Sequence, residues 1–151
     1  MKTVSVGKDP LKVVEKCVEI RDKATKKGKD YDICICLVDV DQHLTLDKAC
    51  RVASRESILL LISNLKFEVW LRWHVEEKLS ALNTTQLDDL TAKLGLVTEK
   101  KLAHAFPFHA VHQACRIARK ADPDLEDGRK GPNPSSAMPI LVDIMEGRRR
   151  K

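Results

Sequence analysis

The stretch "CLVDVDQH", residues 36–43, carries Asp39 and Asp41 two positions apart, with His43 two further on. In extended chain a spacing of two puts both carboxylates on one side. Held there they repel each other, and a hard divalent cation relieves the repulsion. Mg²⁺, or Mn²⁺ in its place, takes oxygen ligands and usually keeps several waters. Phosphate oxygens can complete such a shell, which is the layout of metal-assisted phosphoryl chemistry. His43 is placed to contact phosphate or to move a proton. A solvated turn explains the same residues more simply, because Asp is frequent after strands as a turn former and cap.

A third carboxylate, Glu68, stands inside "ISNLKFEVWLRWH", residues 62–74, among Phe67, Val69, Trp70, Leu71 and Trp73. With Asn64 as N-cap, Leu65 to Phe67 become the first helical residues and Glu68 closes the first turn. The helix dipole favours a carboxylate there by roughly 0.3–1 kcal/mol. Arg72, four residues on, adds roughly 0.2–0.5 kcal/mol. These terms account for an exposed Glu but not for a lone buried charge, which costs several kcal/mol. The exposure of Glu68 therefore decides its meaning. His109, His112 and Cys115 form a weaker stripe that drifts around its helix without a carboxylate. Lys100, Lys101, Arg129 and Lys130 can reach phosphates, each without specificity.

These groups need elements to hold them. "TVSVG" has the alternation of a short strand, and Asp9-Pro10 is a helix start with Pro at the first helical position. Helical spacing then runs to the Lys-Gly punctuation at 26–29. "YDICICLVDV" is a near-continuous apolar run suited to a strand buried on both faces of a parallel sheet. A short helix, "LDKACRVAS", leads to another buried strand at 57–63. Strands alternating with helices predict right-handed crossovers and an α/β fold with a mostly parallel sheet flanked by helices. In such sheets ligands bind beyond the carboxyl ends of the strands, where Asp39 and Asp41 fall. The second half reads as helical: "TTQLDDLTAKLG" ends at Gly95, "AFPFHAVHQACRIARKA" follows, and "SAMPILVDIMEG" closes the chain after a polar Pro/Gly loop. One domain spans 1–151: a strand-helix core at 1–76, a helical portion at 77–147 and a basic tail at 148–151.

The net charge of +5 sits largely in "KKGK" and the terminal "RRRK", a mild pointer to an anionic partner such as nucleic acid. Aromatics at 4% argue against a base-stacking surface. No apolar run approaches the roughly 20 residues of a membrane span, and no signal-peptide segment opens the chain. No membrane partner and a cytoplasmic location are the expectation. The five cysteines show no CxxC spacing, so Cys34 and Cys36 are expected in the core.

"VDVDQH" followed by "SILLLISNLKFEVWLRWH" resembles the RloB-like family of TOPRIM-fold proteins, whose members resemble "FDRDEH" and then "SNPCFELWLLLHF". "GPNPSSAMPILVDIM" resembles that family's "NPST" stretch and closing helix. The resemblance runs from about residue 4 to residue 146. It implies a TOPRIM-like α/β domain with Mg²⁺ at Asp39 and Asp41, and a role in phage defence through abortive infection. It implies an AAA-type ATPase partner as well. Ser63, Asn64, Phe67, Glu68, Trp70 and His74 would form a second signature, and Asn133, Pro134 and Ser135 a third. Glu68 and His43 would be the catalytic residues of a metal-dependent nuclease.

Three departures stand out. Val40 replaces an Arg, Leu65-Lys66 replace Pro-Cys, and the first TOPRIM strand with its Glu-Gly turn has no counterpart. A start site set too far downstream, a degraded chain or a truncation would each explain the last. Without that Glu, weakened metal binding and little turnover are expected. A non-catalytic subunit that regulates the ATPase is the alternative function.

Overall fold

The computed structural model of the chain describes residues 1–7, 9–40 and 44–148. Its first helix starts where Asp9 and Pro10 place it. α1 (Pro10–Lys26) has Asp9 as N-cap, the carboxylate accepting from Leu11 N–H at 3.3 Å. Pro10 sits where its missing N–H leaves no bond unmade. The same carboxylate accepts from the Thr45 hydroxyl, tying the start of α1 to that of α2 (Leu46–Arg55).

β1 (Ile35–Asp39) and β2 (Leu59–Asn64) pair in parallel, with Asp39 opposite Ser63. The third strand comes from the far end of the chain. β5 (Ser135–Ser136) pairs antiparallel with β2, placing Ser136 opposite Ser63 and Ser135 opposite Asn64, in the order β1-β2-β5. The fold class is α/β, and the main sheet holds one parallel and one antiparallel pairing. A separate two-stranded hairpin, β3 (Val97–Thr98) with β4 (Lys101–Leu102), was not expected.

The expected strand at "TVSVG" does not form: residues 1–7 have no regular structure. Its valines find no apolar floor, since Val4 remains 43% exposed and Val6 only half-buried. Alternation without burial has nothing to fix it.

Two apolar layers sandwich the sheet. On one face Cys36, Val38, Leu60 and Ile62 pack against Val14 of α1 and Ala49 and Ala53 of α2. On the other, Leu61 packs against Ala137 and Ile140 of α6 (Met138–Met145). α6 does not reach across that face, so β1 is not buried on both sides as its apolar run suggests, and Leu37 is 44% exposed.

A third cluster joins α3 (Glu68–Arg72), α4 (Thr84–Lys93) and α5 (Val111–Ala121), with Trp70, Trp73, Leu87 and Ile117 buried in it. Five residues of helix are not stable through backbone bonding alone. Burial of each large apolar side chain contributes about 1.5–3 kcal/mol, so packing rather than propensity holds α3. α4 is the exception with strong local signals. Asn83 and Gln86 form a reciprocal capping box at its start.

The polar loop at 122–136 is bound to the sheet. Gly128 N–H donates to Leu60 O at 2.8 Å, and Asn64 Nδ2 donates to Gly131 O at 2.9 Å. A Cβ on Gly131 would lie 2.5 Å from Ser135 Oγ and 2.6 Å from Asp122 Oδ2. Gly131→Ala is therefore expected to destabilise the chain by about 1–3 kcal/mol, the usual cost of overpacking. A urea midpoint unchanged from the parent would show that the loop yields freely.

Candidate functional site

The carboxyl ends of β1 and β2 bring Asp39 and Ser63 side by side, and β5 adds Ser136. The three form one row across the sheet, and the Ser63 and Ser136 hydroxyls are 3.1 Å apart. A cleft of about 290 Å³ opens over Asp39 and Ser63, floored by Leu37 and Leu61 and bounded by Phe67 and Met138. Its polar end is the Asp39–Ser63 edge.

Asp39 is committed to a specific bond. Its Oδ1 accepts the Phe67 backbone N–H at 2.9 Å, 28 residues away in sequence. A charge-assisted bond of this type contributes about 1.5–3 kcal/mol. It corrects the expected role of Asn64. That residue is the last of β2, its side chain serves the Gly131 carbonyl, and the helix begins at Glu68. The strand could not end earlier, because Asn64 still pairs with Ser135. Asp39 thus does from another strand what a local cap was expected to do.

Glu68 follows directly, at the first position of α3, and is half-buried. The ion pair expected with Arg72 does not form. Arg72 is turned into the core, 5% exposed, where its Nε meets Glu76 at 2.7 Å and its Nη atoms meet Ser80 O and Oγ. Three of the five guanidinium N–H donors go to those acceptors, which hold the buried side chain in that orientation.

The cation near Glu68 is Lys66, whose Nζ lies 2.7 Å from Asp88. Burial alone would lower its pKa, but the Asp88 hydrogen bond and the fields of Glu68, Asp88 and Asp39 outweigh it and hold it above the ordinary lysine value. Asp39 and Glu68 therefore share one electrostatic neighbourhood. Lys66 and Ser136 are site neighbours that were not among the expected site residues. The signals were a lysine two residues before Glu68 and a second serine beside Ser135.

The remaining residues separate. Trp70 and His74 are buried and meet edge to face, their ring centroids 4.9 Å apart, and His74 also packs on Phe106. Its Nδ1 lies 3.0 Å from Trp70 O. Ser135 is buried, its hydroxyl without a hydrogen-bond partner among the described residues, whereas Asn133 is exposed. Arg129, considered for phosphate contact, pairs with buried Asp122 at 2.7 Å. His112 Nε2 lies 3.1 Å from Glu146 and Cys115 is in the core. Asp41 and His43 lie outside the described residues.

The donor set at the cleft is oxygen-only, as a hard cation requires. Among the described residues no three His, Cys, Asp or Glu side chains come together to hold a metal. A Mg²⁺ site here would have to add Asp41 or phosphate oxygens to Asp39. Among the same residues no helix is long and apolar enough to cross a membrane.

A family model described as RloB-like protein matches residues 1–145. The chain belongs to the RloB-like family. No curated protein and no solved structure matches it. The match takes in the Asp39 strand end, the Ser63–His74 segment and the Ser135–Ser136 strand. Asp39, Ser63–Asn64 and Ser135–Ser136 of this RloB-like chain are thus neighbours at one end of one sheet.

Burial lowers the His74 pKa, against the opposing effect of its backbone contacts at Trp70 and Leu71. The folded chain consequently binds the proton less readily than the unfolded chain. This contribution to stability is complete above the unfolded value near 6.5 and is lost as pH falls below it. Urea unfolding between pH 7.5 and 5 should show stability falling with pH, and His74→Gln should flatten part of that slope. An unchanged slope would mean that His74 titrates as freely as in the unfolded chain.

Proposed function

We propose that this RloB-like chain is a TOPRIM-like, Mg²⁺-dependent protein of phage defence that acts on nucleic-acid phosphodiesters at the Asp39 edge of its sheet. The observation that carries the reading is the convergence there of Asp39, Ser63 and Ser136, with Glu68 placed through the Asp39–Phe67 bond. Asp39 and Asp41 would hold the metal, with Mn²⁺ able to replace Mg²⁺. A bound divalent cation would polarise a phosphoryl oxygen and lower the pKa of a water. Ser63 at the cleft wall would offer its hydroxyl to a phosphate oxygen, with buried Ser136 hydrogen-bonded behind it. Lys66 balances Asp39 and Glu68 when no cation is present. Glu68 is positioned to orient a water or to accept a proton, and His43 is proposed as a second proton carrier.

A second reading is a non-catalytic subunit acting on an AAA-type ATPase, and one surface favours it. Among the described residues β1 has a strand neighbour on one side only. The ladder uses Cys34 O and Val40 N, so the main-chain groups of Ile35 and Leu37 turn to the open edge. Along it runs a groove of about 500 Å³, bordered by exposed Met1, Val4, Tyr31, Leu37 and Met145. An open edge with apolar flanks is a template for an added strand.

Asp39→Asn separates metal binding from structure, because an amide oxygen still accepts the Phe67 N–H. Mn²⁺ binding followed by electron paramagnetic resonance should weaken at least about tenfold in Asp39→Asn, with the unfolding midpoint little changed. Mg²⁺-dependent plasmid nicking should fall with it. Equal Mn²⁺ affinity in parent and variant would remove the metal site, and tight partner binding without nicking would favour the second reading.

A further inference from the structure

Cys17 on α1 faces Cys34 and Cys36 at the entry of β1, and all three side chains border the open groove. Cys36 Sγ lies 3.9 Å from Val13 O. That carbonyl is one helical turn before Cys17, so Cys36 sits beneath the turn that presents the Cys17 side chain. Cys17 and Cys34 are half-buried and Cys36 is buried. We propose that this cluster is a thiol oxidation site at which peroxide converts Cys17 and Cys36 to a disulfide joining α1 to β1.

The environment suits the order of events. The Cys17 thiol is lowered to about 7, chiefly by a hydrogen bond from Cys36, then by Cys34 and the Arg21 guanidinium, while burial opposes them. A large thiolate fraction at neutral pH makes it the nucleophile. The Cys17 thiolate attacks one oxygen of hydrogen peroxide, the O–O bond breaks, and Cys17 becomes a sulfenic acid while hydroxide leaves. Cys36 is held protonated first by its bond to Cys17 and then by burial. Oxidation of Cys17 removes the first of these. The Cys36 sulfur then attacks the sulfenic sulfur, an S–S bond forms, and the displaced hydroxide leaves as water with the Cys36 proton. Two thiols lose two electrons and two protons, and the peroxide becomes two waters.

Nothing in this step involves Asp39 or a metal, so it stands or falls apart from the proposed function. Cys50 and Cys115 are internal controls, since burial raises both. The reduced full chain is treated with stoichiometric hydrogen peroxide, its free thiols are alkylated, and tryptic peptides are sequenced without reduction. The expected product joins the peptide 17–21 to the peptide 30–48, with fragmentation placing the bond at Cys36, while Cys50 and Cys115 stay alkylated. Without peroxide, iodoacetamide at pH 7 should label Cys17 roughly tenfold faster than Cys50, a comparison that needs no variant. Cys36→Ser should leave a Cys17 sulfenic acid that dimedone traps. Equal labelling rates for Cys17 and Cys50, or peroxide products lacking the 17–36 link, would overturn the proposal.

Discussion

The hydrogen bond from Phe67 N–H to Asp39 connects the parts of this molecule that bear on function. It runs from the end of a β-strand to the start of a helix too short to stand alone, and it decides where Glu68 emerges. The rest follows from that placement. Val40 N–H reaches Ser63 O at 3.1 Å and Leu65 O at 3.2 Å, closing the turn beneath the same bond. Trp70 and Trp73 then run into the core, and Arg72 is drawn to Glu76 and Ser80. Glu68 stays half-buried beside Phe67, with the Lys66 ammonium in its field. A carboxylate among aromatic residues is thus the first residue of a helix whose other side chains are the ones buried.

The architecture was legible where local chemistry and burial agree. Asp9-Pro10, the apolar run into Asp39 and the leucine spacing of α4 all name their elements correctly. It failed where a partner distant in sequence sets the outcome. "TVSVG" alternates like a strand but finds no surface to cover. Asn64 has the chemistry of an N-cap, yet Gly131, 67 residues away, takes its side chain. Ser135 and Ser136 follow a Pro/Gly loop with no strand pattern and yet form the third strand. Non-local pairings of this kind leave no periodic trace in sequence.

The site was legible in outline for a related reason. Asp39 and Glu68 stand out by type and spacing, whereas Ser63 and Ser135 come from the resemblance, and the family match covers all of them. Their mutual arrangement follows from neither, since Ser63 and Ser136 are 73 residues apart. The Glu68–Arg72 pair had correct helical spacing and lost to a stronger demand. A guanidinium in the core needs acceptors around it, and Glu76 and Ser80 supply three. Burial outranked a surface pairing worth a few tenths of a kcal/mol.

The central claim is that the ends of β1, β2 and β5 form one cation-responsive site through Asp39. The most direct measurement is a Mg²⁺ titration of ¹⁵N-labelled protein followed by amide chemical shifts. Saturable shifts should concentrate at Asp39–Val40, Phe67–Glu68 and Ser135–Ser136, and Asp39→Asn should abolish them together. Shifts scattered over surface acids such as Glu19 and Asp124, with the Phe67 amide unmoved, would contradict the account.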